Sequence, residues 1–147
     1  MIQKSGGIWL ISLLFFLGSL NLNAQNVEVA ITGIRSEEGQ IVLTVYTDEE
    51  SYQDVKPFMT KFIDKSTMKD GVLKVLLELK QGTYGFTLID DENLNGEIDY
   101  RFFRLTKEGF GFSNFFLTKL KKPSFDDFKF EVKEGEMRNV EMKVKYM

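Results

Sequence analysis

The chain has 147 residues with two prolines, no cysteine and no histidine, and its 19 basic and 22 acidic side chains leave a net charge of −3. An acidic balance argues against a nucleic-acid binder, which carries a basic excess. The missing residue types exclude disulfides, thiolate metal sites, a cysteine nucleophile, Ser-His-Asp catalysis and nearly every transition-metal site.

In residues 1–25, Lys4 is the only charge, an apolar run spans residues 8–17, and a short polar stretch ends at Ala24. This is the order of a secretory signal peptide. It predicts cleavage between Ala24 and Gln25, an extracytoplasmic protein, and one domain over residues 25–147. The apolar run is shorter than the roughly 20 residues of a good membrane span, so no span is expected after cleavage. An uncleaved N-terminal anchor is the alternative.

Beyond the leader the dominant period is two. Val27, Val29 and Ile31 alternate with Glu28, Ala30 and Thr32, and Ile41, Leu43 and Val45 with Val42, Thr44 and Tyr46. The same alternation runs through residues 73–80, 84–89, 128–133 and 140–146. Each run reads as a strand with one buried face. Turn residues punctuate them at Glu37-Glu38-Gly39, Asp70-Gly71, Gln81-Gly82 and Glu134-Gly135-Glu136. Residues 51–65 lack the pattern and read as a short helix or an irregular crossing around Pro57. The expected fold is an all-β antiparallel β-sandwich of about seven strands, immunoglobulin-like or transthyretin-like. Its expected core comprises Val27, Val29, Ile31, Leu43, Val45, Val75, Leu77, Phe86, Leu88, Val140, Met142 and Val144.

The run from Asp90 to Asp99 is the most informative for chemistry. Asp91, Asn93, Asn95 and Asp99 carry side-chain oxygens, Gly96 permits a sharp bend, and Glu97 could offer a backbone carbonyl. Calcium takes six to eight such oxygens, and the spacing matches the first half of an EF-hand-type loop. The twelfth position is Phe102 rather than a bidentate Glu, and the flanks read as strand, so this is no EF-hand. Two readings stand side by side: a calcium loop, favoured by the mutual repulsion of Asp90, Asp91, Glu92, Glu97 and Asp99, and a plain β-connection, favoured because Asn, Asp and Gly suit turns.

Residues 101–130 hold nine phenylalanines. Phe110 and Phe112, followed by Ser113 and Asn114, either pack into the core or form an aromatic platform for a sugar, peptide or apolar ligand. Lys119, Lys121 and Lys122 form a basic knot that the negative net charge reads as a solvated loop.

At these residues the chain resembles a secreted bacterial family, the domain of unknown function 2141 family. The resemblance rests on Gly33-Ile34-Arg35-Ser36-Glu37-Glu38-Gly39, Gly82-Thr83-Tyr84, the Asp90–Asp99 loop, Gly109-Phe110-Gly111-Phe112-Ser113-Asn114 and Pro123-Ser124-Phe125-Asp126-Asp127. The family's usual histidine before Asp-Glu-Asn is Asp90 here, and its usual glycine-proline step is replaced by Phe103-Arg104-Leu105-Thr106. The resemblance implies a secreted β-sandwich and no assigned activity. An activity that needed the histidine would be lacking.

These features are those of a non-catalytic extracytoplasmic module whose partner is a protein, glycan or small ligand. A carrier using residues 102–130 is the alternative. A glycosidase needs two carboxylates about 5–10 Å apart in separate roles, and the acids here crowd into one loop.

Overall fold

The computed structural model describes residues 26–96, 108–119 and 121–147. The leader expected at residues 1–24 lies outside them. Strand β1 (Val27–Thr32) turns Val27, Val29 and Ile31 inward and Glu28, Ala30 and Thr32 outward. This is what β-branched residues at every second position dictate on a pleated ribbon with one face in water. β1 lies between β4 (Val72–Leu77) and β8 (Arg138–Lys143) in a three-stranded sheet. The register sets Val29 opposite both Val75 and Val140.

The second sheet has five strands. β2 (Gln40–Tyr46) is flanked by β3 (Met59–Asp64) and by the long β5 (Gly82–Asp91). β5 in turn pairs with β6 (Gly109–Phe112) through residues 87–90 and with β7 (Phe130–Val132) through residues 82–84. The two sheets bury one aliphatic-rich layer between them, and all twelve side chains expected in the core belong to it. The architecture is therefore the expected β-sandwich.

One pairing departs from the expected antiparallel plan: β8 runs parallel to β1. The chain leaves β7 in one sheet and crosses to the other before β8 begins, and that crossover reverses the sense in which a hairpin would have returned. Residues 51–65 also differ from expectation. The chain forms helix α1 (Glu49–Gln53), capped by Asp48, and then strand β3. β3 is hidden from pattern analysis because it is an edge strand. Met59 and Ile63 pack on the core, while Phe62 stays 57% exposed.

A second, aromatic layer covers the outer face of the five-stranded sheet. Tyr46, Tyr52, Phe110, Phe112, Phe125 and Phe128 cluster there under α1 and the short helix α2 (Phe125–Phe128). The rings of Tyr52 and Phe112 lie 5.0 and 5.2 Å from that of Phe128, within the range where tilted pairs add to simple burial. Gly85 makes this possible: a Cβ there would stand 2.6 Å from the rings of Phe125 and Phe128. No helix among the described residues is long and apolar enough to cross a membrane.

Candidate functional site

The acidic turn follows directly from β5. Asp91, the last residue of the strand, is buried. Its Oδ1 accepts from the Asn95 N–H at 3.2 Å, and its Oδ2 accepts from the Gly96 N–H at 3.1 Å and the Gln40 amide at 2.9 Å. Asn93 Oδ1 accepts from the same Asn95 N–H at 3.0 Å. Asp91 and Asn93 thus fasten the loop's own backbone, as short polar side chains do in tight turns. Glu97, Asp99 and Phe102 lie outside the described residues. Among the described residues, no group of three or more carboxylates stands close enough to hold a metal ion.

Two of the crowded carboxylates, Asp90 and Glu92, are met by cations of the chain itself. Asp90 faces inward, on the same side of β5 as Tyr84, Phe86 and Leu88, and its Oδ1 meets the ammonium of Lys65. Both side chains of that pair are fully buried. Lys65 Nζ also donates to the carbonyls of Ser36, at 3.2 Å, and Glu38. Asp90 Oδ2 accepts from the Tyr146 hydroxyl, which in turn accepts from the Arg35 N–H at 3.1 Å. Burial, and donation to Asp90, push the Tyr146 phenol well above its ordinary value, so it stays a donor.

Glu92 completes this joint. Arg35 reaches it with two parallel bonds, Nε to Oε1 at 2.9 Å and Nη2 to Oε2 at 2.6 Å, and the Ser36 hydroxyl donates to Oε1 at 3.0 Å. The bonds from Arg35, with help from Ser36, bring the Glu92 carboxyl down to about 2. The Arg35 guanidinium lies 4.3 Å above the Tyr146 ring. Gly39 lets the backbones close here: it has φ +77°, and a Cβ would fall 2.1 Å from the Asp91 carbonyl oxygen. The connection from β1 to β2, the end of β5, the turn after β3 and the tail of β8 are therefore drawn into one polar knot.

The aromatic element is built into the fold in the same way. Phe110 and Phe112 are buried, as the packing reading expects, but in the outer aromatic layer rather than between the two sheets. Ser113 is fully buried and fills the step between β6 and β7 along β5. Its Oγ accepts from the Phe86 N–H at 2.9 Å and donates to the Phe128 carbonyl at 2.7 Å. Asn114 covers the free edge of β8, its N–H donating to the Glu141 carbonyl at 2.7 Å and its Oδ1 accepting from the Glu141 N–H at 2.9 Å. Ser113 and Asn114 thus finish sheet edges.

Lys65 and Tyr146 escaped the sequence reading as site residues. Tyr146 had a signal, since it continues the inward alternation of Val140, Met142 and Val144. Lys65 had almost none, because a lysine after an exposed edge strand reads as solvent-facing.

The family described as an uncharacterized protein conserved in bacteria matches residues 29–140 of the chain. No curated protein and no solved structure matches it.

Proposed function

The chain belongs to this uncharacterised bacterial family, and from that premise we propose that it is an exported, non-catalytic β-sandwich module acting in binding or structure outside the cytoplasm. The observation that carries the reading is how the charged side chains of its motifs are used. Lys65 and Asp90 are spent on each other inside the protein, and Arg35 and Glu92 on each other beside them. A general acid or base must reach a substrate, and the buried pair does not. The apolar leader supports export. Intact-mass measurement of the protein recovered outside the cytoplasm should give a chain starting near Gln25, and a glycan-hydrolysis screen should give no turnover. Retention of Met1, or turnover on any glycan, would overturn the corresponding half of the reading.

Calcium at Asp91, Asn93, Asn95, Glu97 and Asp99 is a second reading. What favours it is that Asp91 and Asn93 already aim oxygens into the turn that ends at Gly96, and a carboxylate oxygen can accept more than one partner. Without a bidentate Glu the affinity is expected to be weak, on the order of 10⁻⁴–10⁻³ M. Millimolar calcium should then add about 1 kcal/mol of stability, and Asp91→Ala should remove the calcium-dependent part. A melting curve indifferent to calcium would leave the plain turn.

A further inference from the structure

A cleft of about 360 Å³ opens between α1 and the segment that leads from β6 into α2. Lys119, Lys121 and Lys122 stand on its rim, and Leu117 and Pro123, both buried, form its apolar wall. Two carboxylates also line it, but each is held by donors of the fold. Glu49 accepts from the Phe125 N–H and the Gln53 amide, and Asp127 Oδ2 accepts from the N–H and the hydroxyl of Ser124 at 2.8 and 2.9 Å. Among the described residues, none of the three lysines has a carboxylate within ion-pair distance. An acidic protein has thus gathered three lysines around one concavity, beside two acids whose oxygens are fastened by neutral donors.

Lys122 is held in place. Its Nζ donates to the Gln53 carbonyl oxygen at 2.9 Å and stands 4.4 Å from the centre of the Tyr52 ring. Tyr52 itself is 5% exposed, and its buried hydroxyl has no hydrogen-bond partner among the described residues. A buried donor without an acceptor is costly. The phenol lies within electrostatic reach of Glu49 and Asp127, the two acids on the cleft wall.

We propose that this cleft binds a small anionic saccharide, with the oxyanion on the Lys119–Lys121–Lys122 rim and the sugar body against Leu117 and Pro123. The volume lies at the small end of ligand pockets, about 300–1,000 Å³, and leaves room beside an oxyanion for a sugar-sized body. The lining suits a sugar. The Thr118 hydroxyl, the second N–H of the Gln53 amide and the acceptor lone pairs of Ser124 Oγ remain for its hydroxyls, beside an apolar wall for its C–H face. Lysines deliver point charge on flexible stems and so accept carboxylate or sulfate esters alike.

This inference rests on the binding reading above and names its ligand class. The test is isothermal titration of the whole chain at low salt with a uronate disaccharide, a sulfated disaccharide, the neutral counterpart and inorganic sulfate. One of the two anionic sugars should bind at least tenfold more tightly than both the neutral sugar and sulfate, and its affinity should fall as salt rises. Which of the two binds better identifies the anionic group. Lys122→Gln, and separately the pair Lys119→Gln/Lys121→Gln, should each weaken binding at least fivefold, the pair with an unchanged melting temperature. Absence of heat from both anionic sugars, equal affinity for the neutral sugar or for inorganic sulfate, or binding that survives both lysine variants would overturn the proposal. Release of new reducing ends from a sugar bound in a lysine-dependent way would instead sink the non-catalytic reading and leave the cleft assignment standing.

Discussion

Between the sheets, Val29, Ile41, Leu43 and Phe86 are buried by neighbours that are interchangeable in kind. At the end of the same sandwich, Lys65 and Asp90 are buried just as fully by partners that are not. The aliphatic layer draws its stability from area, about 25 cal/mol per Å² removed from water, spread over many side chains. The polar knot draws its stability from completeness. Each charge there has given up water and is tolerable only because a counter-charge and hydrogen bonds replace it. A core of the first kind yields gradually to substitution. A knot of the second kind fails when one member is removed and forgives the removal of two.

The largest expected effect separates the two directly. Lys65→Ala should destabilise by about 3–5 kcal/mol, because it strands the Asp90 carboxylate in the interior. Leu43→Ala should cost about 2–5 kcal/mol through lost burial and a cavity. The single variants are therefore similar, and the double variant tells them apart. Lys65→Met with Asp90→Asn, which keeps an acceptor for Tyr146, should recover at least half of the Lys65→Ala loss in a urea titration. Losses that simply add would mean the pair is not coupled, and the contrast with the core would disappear.

A smaller effect is expected where a single hydroxyl completes a sheet edge. Ser113→Ala leaves the Phe86 N–H and the Phe128 carbonyl without the partner that joins β6 to β7. The expected cost is about 1–3 kcal/mol, with protection from hydrogen exchange lost first at the Phe86 N–H. Full retention of that protection would show that the step between the strands closes without Ser113.

The smallest effect lies at the rim of the knot, where Arg35 is half exposed. Glu92 has its carboxyl brought from an ordinary 4.5 down to about 2. A lowered folded-state value adds stability that is fully present above about pH 4.5 and is lost as pH falls towards about 2. Exposure limits the contribution to about 0.2–1 kcal/mol. The stability difference between the parent chain and Glu92→Gln should therefore shrink across that window and stay flat above it. A difference that grows on acidification would reverse the sign and remove Glu92 from the knot.

The apolar layer was legible because strands read one residue in, one residue out, and the side chains from Val27 to Val144 obey that rule. The same rule held more than was taken from it. Asp90 falls in step with Tyr84, Phe86 and Leu88, and Tyr146 with Val140, Met142 and Val144, so both polar groups were marked as inward-facing by register alone. Composition pulled the other way, grouping Asp90 with the acids of the turn. Lys65, Ser113 and Asn114 were not legible as joints, since their partners are backbone groups or side chains distant in sequence. β3 was missed because an edge strand with Lys61 on its inner face and Phe62 on its outer face breaks the alternation. Of the expected calcium residues, Asp91, Asn93 and Asn95 do share one turn, while Glu97 and Asp99 lie outside the described residues.

The parallel alignment of β8 with β1 makes the three-stranded sheet depend on contacts that are distant in sequence. Val27 stands beside Arg138 and Thr32 beside Lys143, so one edge of β1 is completed only by residues more than a hundred positions later. Tyr146, which holds the polar knot to Asp90, comes later still. Loop closure over such distances must be paid before the contacts reward it, and folding of chains dominated by such contacts takes milliseconds to seconds. β1 therefore gains its second neighbour only when the whole chain is present, while the pairings of β2 with β3 and β5 need nothing beyond residue 91.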